Sequence, residues 1–436
     1  PPFIGKKEQT SEQKREVLQV FSGVKGSGIL DYVACWYRKA ADYMAANPNI
    51  RTAFVSTNSI IQGEQVGVLW SDLLARGVDI HFAHRTFQWT SEARGKAAVH
   101  CVIIGFSLQP AAAKAIFEYE TPQGEPHTLK VRNINPYLVD GPNLLLENRR
   151  TPVSNAPEVS YGSFALDDGN YTLSAADRDA LLSECPEAAS VLRPFIGGQE
   201  FLYGEERWCI WLDGVSPAAL KAMKPVLRRV EAVRAWRAKS MRETTRVLSE
   251  TPTAFAEVRQ PTVTYLVFPT LSSEKRAYIP AAFLPPSVIA SNQLYVVAGA
   301  NLYHFGVLTS LMHMAWVRGV CGRLESRYRY SAGIVYNNFP WPEPSDRLRT
   351  VIDRLAEGVL DARAKHPNST LADLYDPLTM PPNLVRAHQA LDKAVDAAYG
   401  KTSYSSEAER VAFLFERYEK ITSMLPPSKV SKRIKK

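Results

Sequence analysis

Residues 324–331, LESRYRYS, carry charged side chains at every second position. As a strand, this stretch projects Glu325, Arg327 and Arg329 from one face, because side chains repeat every two residues. A carboxylate beside a guanidinium can share a C·G pair, the carboxylate accepting from the cytosine amine and the guanidinium donating to guanine O6 and N7. The plainer alternative is a ladder of ion pairs on a surface strand. A second stretch, VLQVFSGVKGSGIL, runs from a strand-like apolar segment through Gly23, Lys25, Gly26 and Gly28 into a helix. Glycines placed this way let a backbone approach a nucleotide or S-adenosylmethionine. Here Lys25 lies between the glycines instead of after them, and no acidic residue precedes Gly23 in the place where methyltransferase loops usually carry one. The stretch therefore reads as a mobile glycine-rich loop over a cleft.

The elements that must position these residues follow from periodicity. Up to about residue 120 helices and strands alternate, as in α/β folds. ILDYVACWYRKAADYM places Ile29, Tyr32, Val33, Trp36, Tyr37, Ala40 and Tyr43 on one helical stripe. RTAFVSTNSI reads as a strand entering a loop, and GEQVGVLWSDLLARG as a helix closed by Gly77. VDIHFAHRTF and AAVHCVIIGFS read as a hairpin at a sheet edge, joined by the polar QWTSEARGK. Pro, Asn and Gly then mark a long crossover. A mixed α+β region follows, with the basic helix PAALKAMKPVLRRVEAVRAWRAKSMRET, and ends at NNFPWPEP. The remainder reads as helical, with Gly400 at a helix end. The expected division is 1–145, 146–345 and 346–436.

Composition narrows the function classes. The 436 residues carry a formal net charge of +8, which invites an anionic partner such as nucleic acid, although part of it sits in the tail SKVSKRIKK. The five cysteines lie apart, without CxxC or Cys/His pairing, so neither a disulfide framework nor a metal site is expected. No apolar run reaches 18 residues, and a soluble, cytoplasmic protein without a membrane partner is expected.

Pro1-Pro2-Phe3 is uninformative alone but resembles the end of the Asn-Pro-Pro-Phe motif of amino-group DNA methyltransferases. LDYVACWYRKAADYM, AFVSTNSIIQGEQVGVLW, FAHRTFQW, RPFIGGQEFLYGEERWCIWL, SSEKRAYIP, FGVLTSLMHMAWVRGVCGRLESRYRYSAGIVYNNFPWP and LDKAVDAAYG follow in the order found in the MmeI-like type IIL restriction-modification enzymes. The resemblance covers essentially the whole chain. It implies the C-terminal half of a Rossmann-like methyltransferase domain, an α+β target recognition domain and a small all-helical C-terminal domain.

That resemblance implies roles residue by residue. Pro1, Pro2 and Phe3 would belong to the catalytic motif, with Phe3 stacking on a flipped adenine. Gly23, Lys25 and Gly26 would form the active-site loop. His84, Arg85 and Thr86 would face the target base or its phosphate; a strand histidine is otherwise an ordinary core residue. Glu325, Arg327 and Arg329, together with Asn292 and Gln293 and the nearby Thr270, would read bases, the two amides suiting adenine. Ser-Asn also begins many plain turns. Arg207, Lys275, Arg276 and Arg323 suit phosphate, to which most protein–DNA contacts go. The expectation is a C-terminal fragment that binds duplex DNA. The intact enzyme would methylate adenine N6 from S-adenosylmethionine without a metal, magnesium serving only a linked nuclease. The alternative is a stand-alone, catalytically silent specificity module partnering a separate methyltransferase subunit.

Overall fold

Thr10 and Gln13 cap one another's backbone at the start of α1 (Ser11–Val20), so the apolar run that reads as strand-like is a helix. The computed structural model describes residues 1–89, 99–119 and 124–424. Most of the polar connection QWTSEARGK and the basic tail lie outside them. Two units divide the chain, one taking 1–155, 315–342 and 403–436, the other 156–314 and 343–402.

In the first unit, α2 (Ala34–Ala46) buries Ala34, Cys35, Tyr37, Ala41 and Met44. Tyr43, expected on the buried stripe, is 69% exposed. Tyr37 decides the inward face: its ring stacks on Phe106 at 5.5 Å and its hydroxyl shares a 2.8 Å hydrogen bond with Ser56 Oγ. A sheet of β1 (Thr52–Thr57), β2 (Asp79–Trp89), β3 (Val99–Ser107), β4 (Lys114–Tyr119) and β5 (Pro126–Val131) has the order β1-β3-β2-β4-β5, with α3 (Glu64–Ala75) between β1 and β2 in sequence. Within this sheet, among the described residues, only β2 and β4 pair in parallel. The β2–β3 hairpin is thus central rather than at an edge. The strand β5 comes from residues that read as crossover.

The second unit holds two four-stranded sheets. Its strands are β6 (Val159–Tyr161), β7 (Thr172–Ser174), β8 (Leu192–Ile196), β9 (Arg207–Ile210), β10 (Tyr265–Pro269), β11 (Leu271–Ser272), β12 (Ala282–Leu284), β13 (Ile289–Ala290) and β14 (Leu294–Val297). One sheet has the order β12-β10-β14-β6, the other β13-β8-β9-β7. Tyr265, Val267, Leu294 and Val296 pack with Phe201 and Leu202 in one core. Tyr171, Phe195, Cys209, Val226, Val230 and Phe255 belong to another. Between β7 and β10 run α4 (Ala175–Glu184), α5 (Gly198–Tyr203), α6 (Pro217–Ala222), α7 (Lys224–Ala238) and α8 (Glu243–Val247), followed beyond β14 by α9 (Leu302–Leu308); of α10 (Leu311–Val320), only the residues up to 314 belong to this unit.

In the first unit again, β15 (Arg323–Leu324) and β16 (Arg327–Arg329) form a short hairpin. The helical remainder comprises α11 (Asp346–Ala364), α12 (Leu371–Leu374), α13 (Pro382–Ala398) and α14 (Glu407–Ser423). The first three of these belong with the second unit and α14 with the first. Asp392 of α13 accepts from the Tyr278 hydroxyl at 2.7 Å and from the Leu311 amide at 2.7 Å. Next to it His388 stacks on Tyr278 at 4.0 Å, and burial pushes its pKa down to about 3, so the imidazole is neutral.

Three separated segments of the first unit meet at Asn338, which is fully buried. Its amide nitrogen donates to the carbonyls of Glu147 (2.8 Å), Gly333 (2.8 Å) and Ile334 (3.1 Å). Its oxygen accepts from Arg149 Nε and from the Tyr418 hydroxyl, both at 3.0 Å. Removing such a hub strands several buried polar groups, each worth about 1–3 kcal/mol. Asn338→Ala is therefore expected to lower the melting temperature by about 5–10 °C. Asn338→Asp, which turns a second acceptor toward three carbonyls, is expected to do no better; a melting curve unchanged in both variants would contradict this account of the hub.

Candidate nucleic-acid interface

In the second unit, β13 returns into β14 through a tight turn closed by a 2.9 Å hydrogen bond from the Leu294 amide to the Ser291 carbonyl. Asn292 and Gln293 occupy its two central positions and are exposed. The turn reading of Ser-Asn thus describes the backbone, and it also puts two amides on the surface. Thr270, at the end of the neighbouring β10, donates from Oγ1 to the Gln293 carbonyl at 2.9 Å. On the other side, Gln293 Oε1 accepts from the Gly198 amide at 2.9 Å, at the start of α5.

The same end of α5 holds Arg207. Glu200 Oε2 accepts from the Gly197 amide at 2.7 Å and from Arg207 Nη2 at 2.9 Å. The Arg207 guanidinium lies over the Phe195 ring at 4.8 Å, and its Nε is buried with no hydrogen-bond partner. A planar cation is thus pinned by one carboxylate and one aromatic face, which leaves less freedom to lose on binding. Arg207, Asn292 and Gln293 share an open cleft of ≈ 320 Å³ with Phe164, Asp168 and Trp236. The loop supplying Phe164 and Asp168 is constrained: Leu166 and Asp168 have φ of 50° and 52°, unusual for residues with side chains. Arg237, fully buried, donates to the carbonyls of Ala165 and Leu166 at 2.8 and 3.0 Å and to those of Leu248, Thr251 and Ala254. Among the described residues it pairs with no carboxylate, and burial lowers its pKa.

Sequence reasoning missed Glu200, Phe195, Trp236, Asp168 and Arg237. One signal was available, since Gly197-Gly198-Gln-Glu200 is a helix start with Glu at its third position. Lys275 is exposed on the loop after β11, whereas Arg276 beside it is buried.

The first unit carries the remaining expected residues. Glu325 does not stand on a strand with Arg327 and Arg329: it sits in the turn between β15 and β16 with φ of 57°. Glu325 and Arg327 nonetheless pair at 2.8 Å, both exposed. Arg329 is exposed and Tyr328 between the two arginines is buried. Arg323 folds back over the Tyr328 ring at 3.9 Å and donates to the Ser326 carbonyl at 2.8 Å. The base of the hairpin is fixed where the Gly63 amide donates to the Val320 carbonyl at 3.1 Å.

Gly23 and Gly26, both at positive φ, shape the connection between α1 and α2, and Lys25 within it is exposed. His84, Arg85 and Thr86 occupy a register shift in β2 opposite β3. His84 stacks on Phe117 at 4.3 Å and hydrogen-bonds the Tyr119 hydroxyl at 2.8 Å, and burial lowers its pKa. Arg85 pairs with Glu118, and Thr86 Oγ1 accepts from Asn58 at 3.5 Å. Pro1 and Pro2 are exposed and Phe3 is 46% exposed. Residues behind them are anchored, with the Ile4 carbonyl accepting from Tyr32 and the Lys6 amide donating to Asp31, both at 3.0 Å. Among the described residues no group of three or more His, Cys, Asp or Glu is placed to hold a metal. No described helix is long and apolar enough to cross a membrane.

An α/β sheet domain, a mixed α+β unit with a surface cleft and terminal helices are together the architecture of a DNA methyltransferase joined to a target recognition domain. Family models for the MmeI DNA-methyltransferase domain, target recognition domain and C-terminal domain match residues 1–118, 140–343 and 344–426. The chain belongs to the MmeI family. It is similar to the type IIL restriction-modification enzyme MmeI solved in complex with DNA, with a TM-score of 0.87 and 49% identity over 97% of this chain and 57% of that one. It is also 38% identical to DNA methyltransferase A of Bacillus subtilis (strain 168) over 423 residues, which are 97% of this chain and 47% of the relative. The chain therefore spans about half the length of these relatives.

Two glycines test this geometry. A Cβ on Gly162 would lie 2.4 Å from the Ser291 carbonyl oxygen, whereas one on Gly197 would meet only side-chain ends, Arg207 Nη2 at 2.4 Å and Gln293 Oε1 at 2.7 Å. Gly162→Ala is expected to destabilise the protein by about 2–4 kcal/mol. Gly197→Ala, whose Cβ would also crowd Glu200 Oε2 at 2.9 Å, should cost less, about 1–2 kcal/mol, while displacing these cleft side chains. Chemical denaturation of the two variants checks this, and equal losses would contradict it.

Proposed function

We propose that this chain recognises a specific sequence of duplex DNA and serves adenine N6 methylation in a type II restriction-modification enzyme. The observation that carries the reading is the cleft in which Arg207 is held by Glu200 beside the exposed amides of Asn292 and Gln293. The two amides carry the fixed donor and acceptor patterns that discriminate base edges, and Arg207 beside them suits a phosphate oxygen. The exposed Glu325–Arg327 pair supplies a second such group, suited to a C·G pair. Support also comes from the similar MmeI enzyme, whose structure was determined with DNA. Lys275 suits phosphate, and Arg323, being folded onto Tyr328, suits it through its remaining guanidinium edge.

In this reading methyl transfer proceeds on a flipped adenine, with the exposed Phe3 ring as the surface on which the base stacks. His84, Arg85 and Thr86 border that base, and the loop through Gly23, Lys25 and Gly26 covers it. S-Adenosylmethionine, the donor implied by the family, supplies the methyl group when bound. The Gly23–Gly28 segment does not fit a cradle for it, because that segment follows a helix and not a strand. In this reading magnesium serves a linked endonuclease and takes no part in methyl transfer.

The test is a charge exchange in the full-length enzyme, Glu325→Lys together with Arg327→Asp. A bidentate base contact is worth about 1–3 kcal/mol of discrimination, so preference at one base pair of the site should change by about 10–100-fold. Sequencing of methylated sites reads the outcome, and a site identical to that of the wild type would overturn the assignment.

A further inference from the structure

The stretch from Pro217 to Val247 holds nine Lys and Arg against two Glu. Only Trp236 of this stretch lines the cleft, and Arg237 acts from beneath it. Helix α7 buries Val226, Val230, Val233 and Arg237, a spacing of three and four residues. That spacing turns Lys224, Arg228 and Lys239 to the opposite side. Arg228 pairs with Glu184, and Arg229 donates to the Asn170 carbonyl. Lys221, Lys224, Arg234, Lys239 and Arg242 are exposed, and among the described residues their side chains make no ion pair or hydrogen bond.

Like charges repeated along one helix face destabilise it by a few tenths of a kcal/mol per pair, and i,i+4 acidic partners ordinarily offset this. Here only Glu231 stands on the outer side of α7. The uncompensated charge is thus a small standing cost, and an anionic partner would reverse it. The apolar side of α7 is consumed by its own core, so the helix does not have the two-faced character of a membrane-surface helix. From Lys224 to Lys239 the axis extends about 22 Å at 1.5 Å per residue. That matches about six base pairs of duplex, which carries a phosphate charge about every 1.7 Å.

We infer that this ridge binds the phosphates of duplex DNA flanking the bases read at the cleft, an inference that rests on the DNA-recognition reading above. The ridge adds length-dependent, sequence-independent affinity, and the same helix contributes Trp236 to the cleft.

The experiment uses the full-length protein and its Lys224→Gln, Lys239→Gln, Arg242→Gln triple variant, whose substitutions are all at exposed positions. Binding is measured to duplexes carrying the recognition site with short or long flanks, across a salt series. The wild type should bind the long duplex more tightly than the short one. The variant should lose about 5–30-fold on the long duplex, and its slope of log affinity against log salt should fall by about 2–3. Its ratio of specific to scrambled-site binding should not change. Lys221→Gln with Arg234→Gln provides an independent pair expected to act in the same direction. A folded variant that matches the wild type on both duplexes in affinity and salt slope overturns the ridge. A wild type without preference for its site over a scrambled duplex overturns sequence recognition instead, while the dependence on flank length still decides the ridge.

Discussion

Five backbone carbonyls converge on the guanidinium of Arg237, and the recognition unit depends on that convergence. Burying a cation without a carboxylate is costly, and it is sustained here because neutral acceptors take up most of its donors. The return is local order. Ala165 and Leu166 are held on one side, and the segment around Leu248–Ala254 on the other. Between them the chain adopts left-handed conformations at Leu166 and Asp168 that it would not hold unaided. A cleft wall made of loop is thereby tied to α7, and a site that discriminates partners differing by one hydrogen-bonding group needs its groups held in this way.

The opposite wall uses a different device. Gly197 and Gly198 let the start of α5 lie flat against Arg207 and Gln293, and Glu200 serves both the helix cap and the guanidinium. One carboxylate thus links secondary structure to site geometry. In the first unit Asn338 plays the corresponding part for backbone, joining the residues around 147–149 to the segment before Pro340 and to α14. The hairpin carrying Glu325 and Arg327 is short, with both of these residues exposed and Tyr328 between Arg327 and Arg329 buried. Such an arrangement lets exposed residues vary at little cost to the core beneath them.

Much of the first sheet was legible in the sequence, because alternation in VDIHFAHRTF and AAVHCVIIGFS and the period of GEQVGVLWSDLLA are strong local signals. What escaped was decided by long-range packing. The stripe through Tyr43 was misplaced because Tyr37, stacked on Phe106 far along the chain, sets the rotation of α2. VLQVF passed for a strand although the Thr10–Gln13 cap was visible before it. β5 was hidden by its Pro and its charged neighbours. The turn at Glu325 carries no Gly or Asn to announce a positive φ, so LESRYRYS reads as one strand. The discontinuous units were not legible either, since contacts such as Trp316 with Phe415, 5.2 Å apart, join residues distant in sequence. For the candidate site, the residue types proposed to read bases were visible in the sequence, whereas Glu200, which holds Arg207, and Arg237, which holds the backbone at Ala165 and Leu166, became visible only with the fold.

Hydrogen exchange of the full-length protein, with and without a duplex containing its recognition site, tests the central claim most directly. The account predicts that amides at Gly197–Gly198, Asn292–Gln293 and the Phe164–Asp168 loop, together with the Arg323–Arg329 hairpin, gain protection with the specific duplex and much less with a scrambled one. Equal protection with both duplexes, or protection that leaves the cleft and the hairpin unchanged, would contradict it.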